Sequence, residues 1–242
     1  MIRFGFRLCP LDEVSPWGGD RPSLHWFGLT EGRYWLEVGG QPHPCVDYYL
    51  ARLWEDVNVL TPDVLEAVPD DLQSFIATDS AQWACDPLDF IPEVDDGPDH
   101  PVVTAVNWHS GHHLDFGYLR NPPDLRLWRT VDGDRDEITL DWRHVDDGEI
   151  GFTQRCSVPT EAYVEAVHTL DRELMTAMHQ RIQELRRRGG PPGVDLDLDT
   201  LQQEHQDRAQ WLTRNLGRTP ATDWAAVRQG ARHLVGDIES TP

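Results

Sequence analysis

Alternation opens the chain. Ile2, Phe4, Phe6 and Leu8 fall on one side of residues 2–8 and Arg3, Gly5 and Arg7 on the other, the two-residue period of a half-buried strand. Pro10 and the Ser15-Pro16-Trp17-Gly18-Gly19-Asp20 stretch break it. Two apolar runs, Leu24 to Leu29 and Arg33 to Val38, flank a Thr30-Glu31-Gly32 turn and predict a hairpin. From Val46 the period changes, with Val46, Tyr49, Leu50, Leu53, Val57 and Leu60 at helical spacing. Thr61 and Pro62 suit the cap and first turn of a short second helix ending near Val68.

Strand chemistry returns in the middle of the chain. Val102 to Trp108, Leu125 to Thr130, Glu137 to Trp142 and Gly151 to Val158 are short, rich in β-branched and aromatic residues, and separated by Gly, Pro and Asp clusters. Connections this short predict antiparallel pairing, because parallel strands need long crossovers. Thr160 opens the strongest helix, on which Tyr163, Val167, Leu170, Leu174, Met178, Ile182 and Leu185 form one stripe. Arg186, Arg187 and Arg188 complement its negative end, and Gly189-Gly190 stop it. Gly189 to Gly193 reads as a linker. Two helical segments follow, Thr200 to Leu216, opened by a Thr200/Gln203 capping box, and Thr222 to Val235. The predicted fold is α+β: an antiparallel sheet of five to seven strands with the long helix packed on it. A main domain spans 1–188, a linker 189–193, and a helical extension 194–242 that packs back on the main domain, being too small for a core of its own.

Charge narrows the chemistry. Among 242 residues, 42 acids face 21 bases, for a formal net charge of −21. That excess repels phosphate backbones and argues against direct nucleic-acid binding. Every one of the 21 bases is Arg, so P-loop and kinase lysines, Schiff bases and Ser-Lys pairs are excluded. The sequence has neither a membrane-length apolar run nor, at its start, the apolar core of a signal peptide, so the expected compartment is the cytoplasm and no membrane partner is expected.

The densest set of potential metal ligands is His109, His112, His113 and Asp115, with His100 upstream. Imidazole and carboxylate suit zinc, and a metal-dependent hydrolase built on these four is the rival functional class. The spacing lacks the H-E-x-x-H pattern, however, and a polar turn accounts for the same residues. On that reading His112→Ala and His113→Ala would each change stability by no more than about 0.5 kcal/mol. Asp132-Gly133-Asp134-Arg135-Asp136 and Asp195 to Asp199 place acids like calcium loops, but lack the Gly at position six and the Glu at position twelve. Cys9, Cys45, Cys85 and Cys156 form no C-x-x-C pair. No motif calls for a cofactor, and none assigns a catalytic residue.

Ten Trp is a large complement, and several aromatics are adjacent: Trp26-Phe27, Tyr34-Trp35, Tyr48-Tyr49. Neighbours in a strand point to opposite faces, so Tyr34 and Trp35 cannot share one core, and one of each strand pair is a candidate interface anchor. Acid-rich loops at Asp95, Asp96 and Asp99, and at Asp132, Asp134 and Asp136, would steer a basic partner.

The opening Arg3-Phe4-Gly5-Phe6-Arg7-Leu8-Cys9-Pro10-Leu11-Asp12-Glu13-Val14-Ser15-Pro16-Trp17-Gly18 resembles an uncharacterised actinobacterial family, a domain of unknown function. Leu24 to Thr30, Leu53-Trp54-Glu55-Asp56, Leu170 to Met175 and Thr222 to Arg228 are similar to the same pattern. The resemblance implies a self-contained bacterial cytoplasmic protein, and the all-Arg base usage fits a genome of high GC content. By analogy, small acidic proteins of unknown function in such bacteria include many that neutralise a toxin. The expected function is therefore a non-enzymatic acidic protein-binding module, most concretely an immunity-type protein that occludes a basic toxin.

Overall fold

A computed structural model of the protein describes residues 2–39, 41–42, 46–86, 100–114, 124–146 and 149–236. In chain order its elements are β1 (Ile2–Leu8), β2 (Glu31–Val38), β3 (Gln41–Pro42), β4 (Val46–Tyr49), α1 (Leu50–Leu65), α2 (Gln73–Ala77), α3 (Pro101–Ser110), β5 (His113–Leu114), β6 (Asp124–Asp132), β7 (Arg135–Asp146), β8 (Glu149–Pro159), α4 (Thr160–Arg188), α5 (Leu198–Arg208), α6 (Trp211–Leu216) and α7 (Trp224–Val235). The fold is α+β. Its strands form two antiparallel four-stranded sheets where the sequence predicts one larger sheet. The chain divides into two compact units, Met1–Val59 with Glu161–Arg218 and Leu60–Thr160 with Thr219–Pro242.

In the first unit β2 is central, pairing along its length with β1 and through Glu31–Tyr34 with β4. The predicted hairpin does not form. The run from Leu24 ends in a 3₁₀ turn, Gly28–Thr30, because side chains there capture the backbone. His25 Nδ1 accepts from the Gly28 amide at 3.1 Å, and Thr30 Oγ1 donates to the Phe27 carbonyl at 2.6 Å while accepting from the Ala51 amide at 3.0 Å. Val46 to Tyr49, expected to begin the helix, instead join the sheet, as their β-branched and aromatic side chains favour. The following helix runs through Thr61 and Pro62 without a break. All seven residues of the α4 stripe are buried. Phe4 meets Tyr163 edge-on, and Trp54 donates its indole N–H to Asp171 at 2.9 Å. Gly189 to Gly193 lead from α4 to α5, and α5 and α6 bury Leu201 and Leu212. The cap of α5 is Asp197, not Thr200: its carboxylate accepts the Asp199 and Thr200 amides.

The second unit holds the sheet β5-β6-β7-β8 in sequence order. Val102 to Trp108, predicted as a strand, form most of α3. His100 caps it, Pro101 occupies the first turn, and Val102, Ala105 and His109 recur at helical spacing on its buried side. A helical Pro-first signature and close packing on α7 outweigh the β-branched run. The α7 cap is Asp223, which accepts the Ala225 and Ala226 amides. Gly230 sets the α3–α7 approach. A Cβ there would lie 2.1 Å from the Pro101 carbonyl oxygen and 2.6 Å from Ala105 Cβ. Gly230→Ala is therefore expected to cost about 1 to 3 kcal/mol through forced separation of the helices, measured as a lowered urea midpoint. An unchanged midpoint would show that the two helices do not meet there.

Candidate functional site

The histidine cluster sits at the end of α3 and the start of β5, where the His109 and His113 rings lie 5.1 Å apart while each of the three histidines hydrogen-bonds a different partner. His109 is buried with Nε2 3.2 Å from the Thr78 carbonyl and 3.4 Å from Arg126 Nη1. His112, 1 % exposed, donates Nδ1–H to the Trp108 carbonyl at 2.8 Å. His113 Nδ1 lies 3.0 Å from Asp124 Oδ1. Asp115 lies outside the described residues. Among the described residues no three His, Cys, Asp or Glu side chains are placed to hold one metal ion. Burial pushes the His109 pKa down to about 3, with the charges of His113 and Arg126 adding to it. Burial likewise takes His112 to about 4, against the raising pull of the Trp108 carbonyl. Both imidazoles are neutral near pH 7 and far from the pKa a general acid or base needs there. The expectation of an exposed polar turn is overturned for His109 and His112. Their rings are structural, so the expected indifference of stability to His112→Ala no longer holds.

Beside them lies a row of charge that the sequence reading missed. Cross-strand pairing lines up His113, Arg126, Asp141 and Arg155 on one face of the β5–β8 sheet. Arg126 is 1 % exposed, as is Asp141. Arg126 Nη1 donates to the carbonyls of Ile76 at 2.9 Å and Thr78 at 2.6 Å. Asp141 Oδ2 is held by Arg143 at 3.1 Å and by Arg155 at 2.8 Å, and Arg143 also grips Asp79. Burial raises the Asp124 pKa, but the His113 hydrogen bond and the charges of His113, Arg126 and Arg143 outweigh it and hold the carboxyl below its ordinary value. Each described cation in the row faces a carboxylate or a carbonyl. The matching is incomplete, because Arg126 Nε and Asp141 Oδ1 are buried with no hydrogen-bond partner among the described residues, but each buried charge has an opposite charge or a carbonyl beside it. Nearby, a cleft of about 460 Å³ is walled by Asp63, Trp108, His112, Thr222, Asp223 and Val227 among others, and no Arg lines it among the described residues. The thiols of Cys9 and Cys156 are pushed up by burial, which leaves them poor nucleophiles, and Cys9, Cys85 and Cys156 are free. Cys45 lies outside the described residues.

The other candidates divide by exposure. Strand alternation sorts Tyr34 from Trp35: Tyr34 is 2 % exposed and belongs to the core, so it is no surface anchor, while Trp35 is half-buried and donates to Glu37 at 2.7 Å. Asp132 and Asp134 are exposed in the tight β6–β7 turn, where Gly133 takes φ +55°. Asp136 is engaged, accepting from Arg129 at 2.7 and 2.6 Å and from Thr160 at 2.6 Å, and these bonds hold its pKa at about 2. Asp95, Asp96 and Asp99 lie outside the described residues. None of the described helices is long and apolar enough to cross a membrane.

A model of the family of unknown function DUF5984 matches residues 3–230, nearly the whole chain. The chain belongs to the DUF5984 family. Among curated proteins and among solved structures, nothing matches. For this DUF5984 chain the match runs across both compact units, from β1 into α7.

Proposed function

We propose that this DUF5984 chain is a non-enzymatic acidic protein-binding module, most concretely an immunity-type protein of an actinobacterial cytoplasm that neutralises a basic toxin. The observation that carries the reading is where the few cations go. Arg126 is spent on backbone carbonyls beneath the second sheet, Arg143 on Asp79 and Asp141, and Arg129 on Asp136 and the Leu65 carbonyl. Arg181 donates to the carbonyls of Leu29 and Cys9. Arg208, with a side chain 11 % exposed, binds Glu55 and lies over the Trp26 and Trp211 rings. Each cation turned inward leaves the surface poorer in positive charge, on a chain that already has twice as many acids as bases. Such a surface accelerates capture of a basic protein and repels nucleic acid. Three free thiols fit a reducing compartment, and the all-Arg base usage fits the proposed host.

Co-purification of the chain from its native host, followed by identification of what it carries, tests the reading. A stoichiometric protein of pI above roughly 9, whose toxicity the chain abolishes, is the expected result. Asp132→Asn with Asp134→Asn is expected to slow that association severalfold at low salt with little change in dissociation, read by stopped flow. Turnover of a small molecule by the purified chain, with no protein recovered, would contradict the proposal.

A further inference from the structure

We infer that the partner's cationic side chains seat on an aromatic surface centred on Trp17, with the acidic segment Asp195 to Asp199 alongside it. The inference rests on the protein-binding reading above and names the face and the chemistry that reading leaves open.

Trp17 is 43 % exposed and is the one aromatic among the large hydrophobic side chains exposed in the described residues. It is not a loose loop residue. Its backbone pairs with Ser23 in both directions, at 2.8 and 2.6 Å, and its indole N–H donates to the Tyr49 hydroxyl at 2.9 Å. The rings of His25, Tyr49 and Phe27 stand edge-on to it at 4.9, 5.4 and 6.0 Å. Tyr48 then meets Tyr49 at 5.3 Å. The result is an indole held by three neighbouring rings and one hydrogen bond, with part of its surface left to solvent. An anchor held in place loses little conformational freedom when a partner arrives, and Trp and Tyr dominate the residues that carry binding energy.

A second, independent observation supplies the charge. Ser23, the backbone partner of Trp17, also bridges to Asp195: the Asp195 amide donates to the Pro22 carbonyl at 2.7 Å, and the Leu24 amide donates to the Asp195 carbonyl at 3.1 Å. These bonds bring a segment far along the sequence against the Trp17 loop. Asp195, Asp197 and Asp199 are all exposed, while within the Trp17–Ser23 loop itself Asp20 and Arg21 are both exposed and offset each other, so the acidic excess comes from the Asp195 segment. Asp197 is kept ionised by the Thr200 and Asp199 hydrogen bonds with which it caps α5. Indole faces attract guanidinium and ammonium ions more strongly than the other aromatic rings do, and neighbouring carboxylates add to that attraction. The occupant that fits is therefore a basic protein surface presenting Arg or Lys. An acidic partner would be repelled by these exposed carboxylates, and an apolar one would gain nothing from them.

The probe is an N-acetylated, C-amidated hexa-arginine peptide, titrated into the full chain at low salt while the ten Trp indole N–H resonances are followed by ¹⁵N NMR. The Trp17 resonance, assigned by its loss in Trp17→Phe, is expected to shift most. The dissociation constant is expected to rise about tenfold in Trp17→Ala, less in Trp17→Phe, and severalfold in Asp195→Asn with Asp199→Asn. The titration of the parent chain reads the site directly even if Trp17→Ala fails to fold. Binding that leaves the Trp17 resonance still, or that survives Trp17→Ala unchanged in a folded variant, overturns this surface and leaves the protein-binding reading standing. A parent chain that does not bind the peptide at all overturns both.

Discussion

Truncating Leu174 to Ala is expected to destabilise the protein by about 2 to 5 kcal/mol, the lost transfer energy of the side chain plus the cost of the cavity it leaves. Leu174 is fully buried, midway along a stripe that α4 presents from Tyr163 to Leu185. A helix of 29 residues with a mostly charged outer face owes its stability to that stripe rather than to local propensity. Glu173, the exposed neighbour, gives the control: Glu173→Ala is expected to stay within about 0.5 kcal/mol of the parent. Equilibrium urea unfolding reads both, and a Leu174→Ala midpoint equal to that of Glu173→Ala would rule the packing out.

A second large effect is expected from acid. His109 and His112 have folded pKa values of about 3 and about 4, far below the ordinary value of 6.5. A lowered folded pKa means the unfolded chain takes up protons first. The stability these residues contribute is complete above about pH 6.5 and is lost as pH falls toward 4 and then 3. Between pH 6.5 and 5 the loss is about 1.6 kcal/mol for each histidine, because a full pH unit of unequal protonation is worth about 1.4 kcal/mol and the unfolded histidine is only half protonated at the upper end. His205, its pKa lowered mainly by burial, adds in the same direction. Carboxylates such as Asp136, held at about 2 by Arg129 and Thr160, lose their contribution only in more acid solution. Unfolding free energies measured at half-unit steps from pH 7.5 to 5 are expected to slope downward. His112→Gln is expected to flatten the slope while lowering stability at pH 7.5. A parent whose stability is level across that range would mean the histidines are solvated.

What was legible in the sequence was whatever repeats long enough to average out exceptions. The α4 stripe runs for six turns, and β6, β7 and β8 alternate around turns rich in Asp and Gly, so those elements and their antiparallel pairing could be read directly. Short segments failed where a few residues carried two signals. Val102-Val103-Thr104 looks like a strand, and only the His100-Pro101 start marks the helix it became. Leu24 to Leu29 looks like half a hairpin until the His25 and Thr30 side chains take the backbone bonds a strand would need. The candidate site suffered from a different blindness. Alternation assigns a polar residue to solvent, yet Arg126 and Asp141 are buried, because their face is overlaid by the carbonyls of Ile76 and Thr78 from far along the chain. Trp17 escaped notice for the converse reason. It stands alone in a Pro/Gly-rich loop, and its aromatic neighbours come from positions 25, 27 and 49. Its acidic flank is brought in by a backbone bridge that no local pattern encodes. Alternation requires Tyr34 and Trp35 to part but does not say which of them turns inward; packing buries Tyr34.

If an acidic surface captures a basic protein, the association rate must depend on salt. With the partner in hand, stopped-flow association is measured from about 10 mM to 150 mM salt, over which the screening length falls from roughly 30 Å to 8 Å. The association rate constant is expected to fall at least about tenfold across that range while the dissociation rate changes little. A flat association rate would contradict such capture.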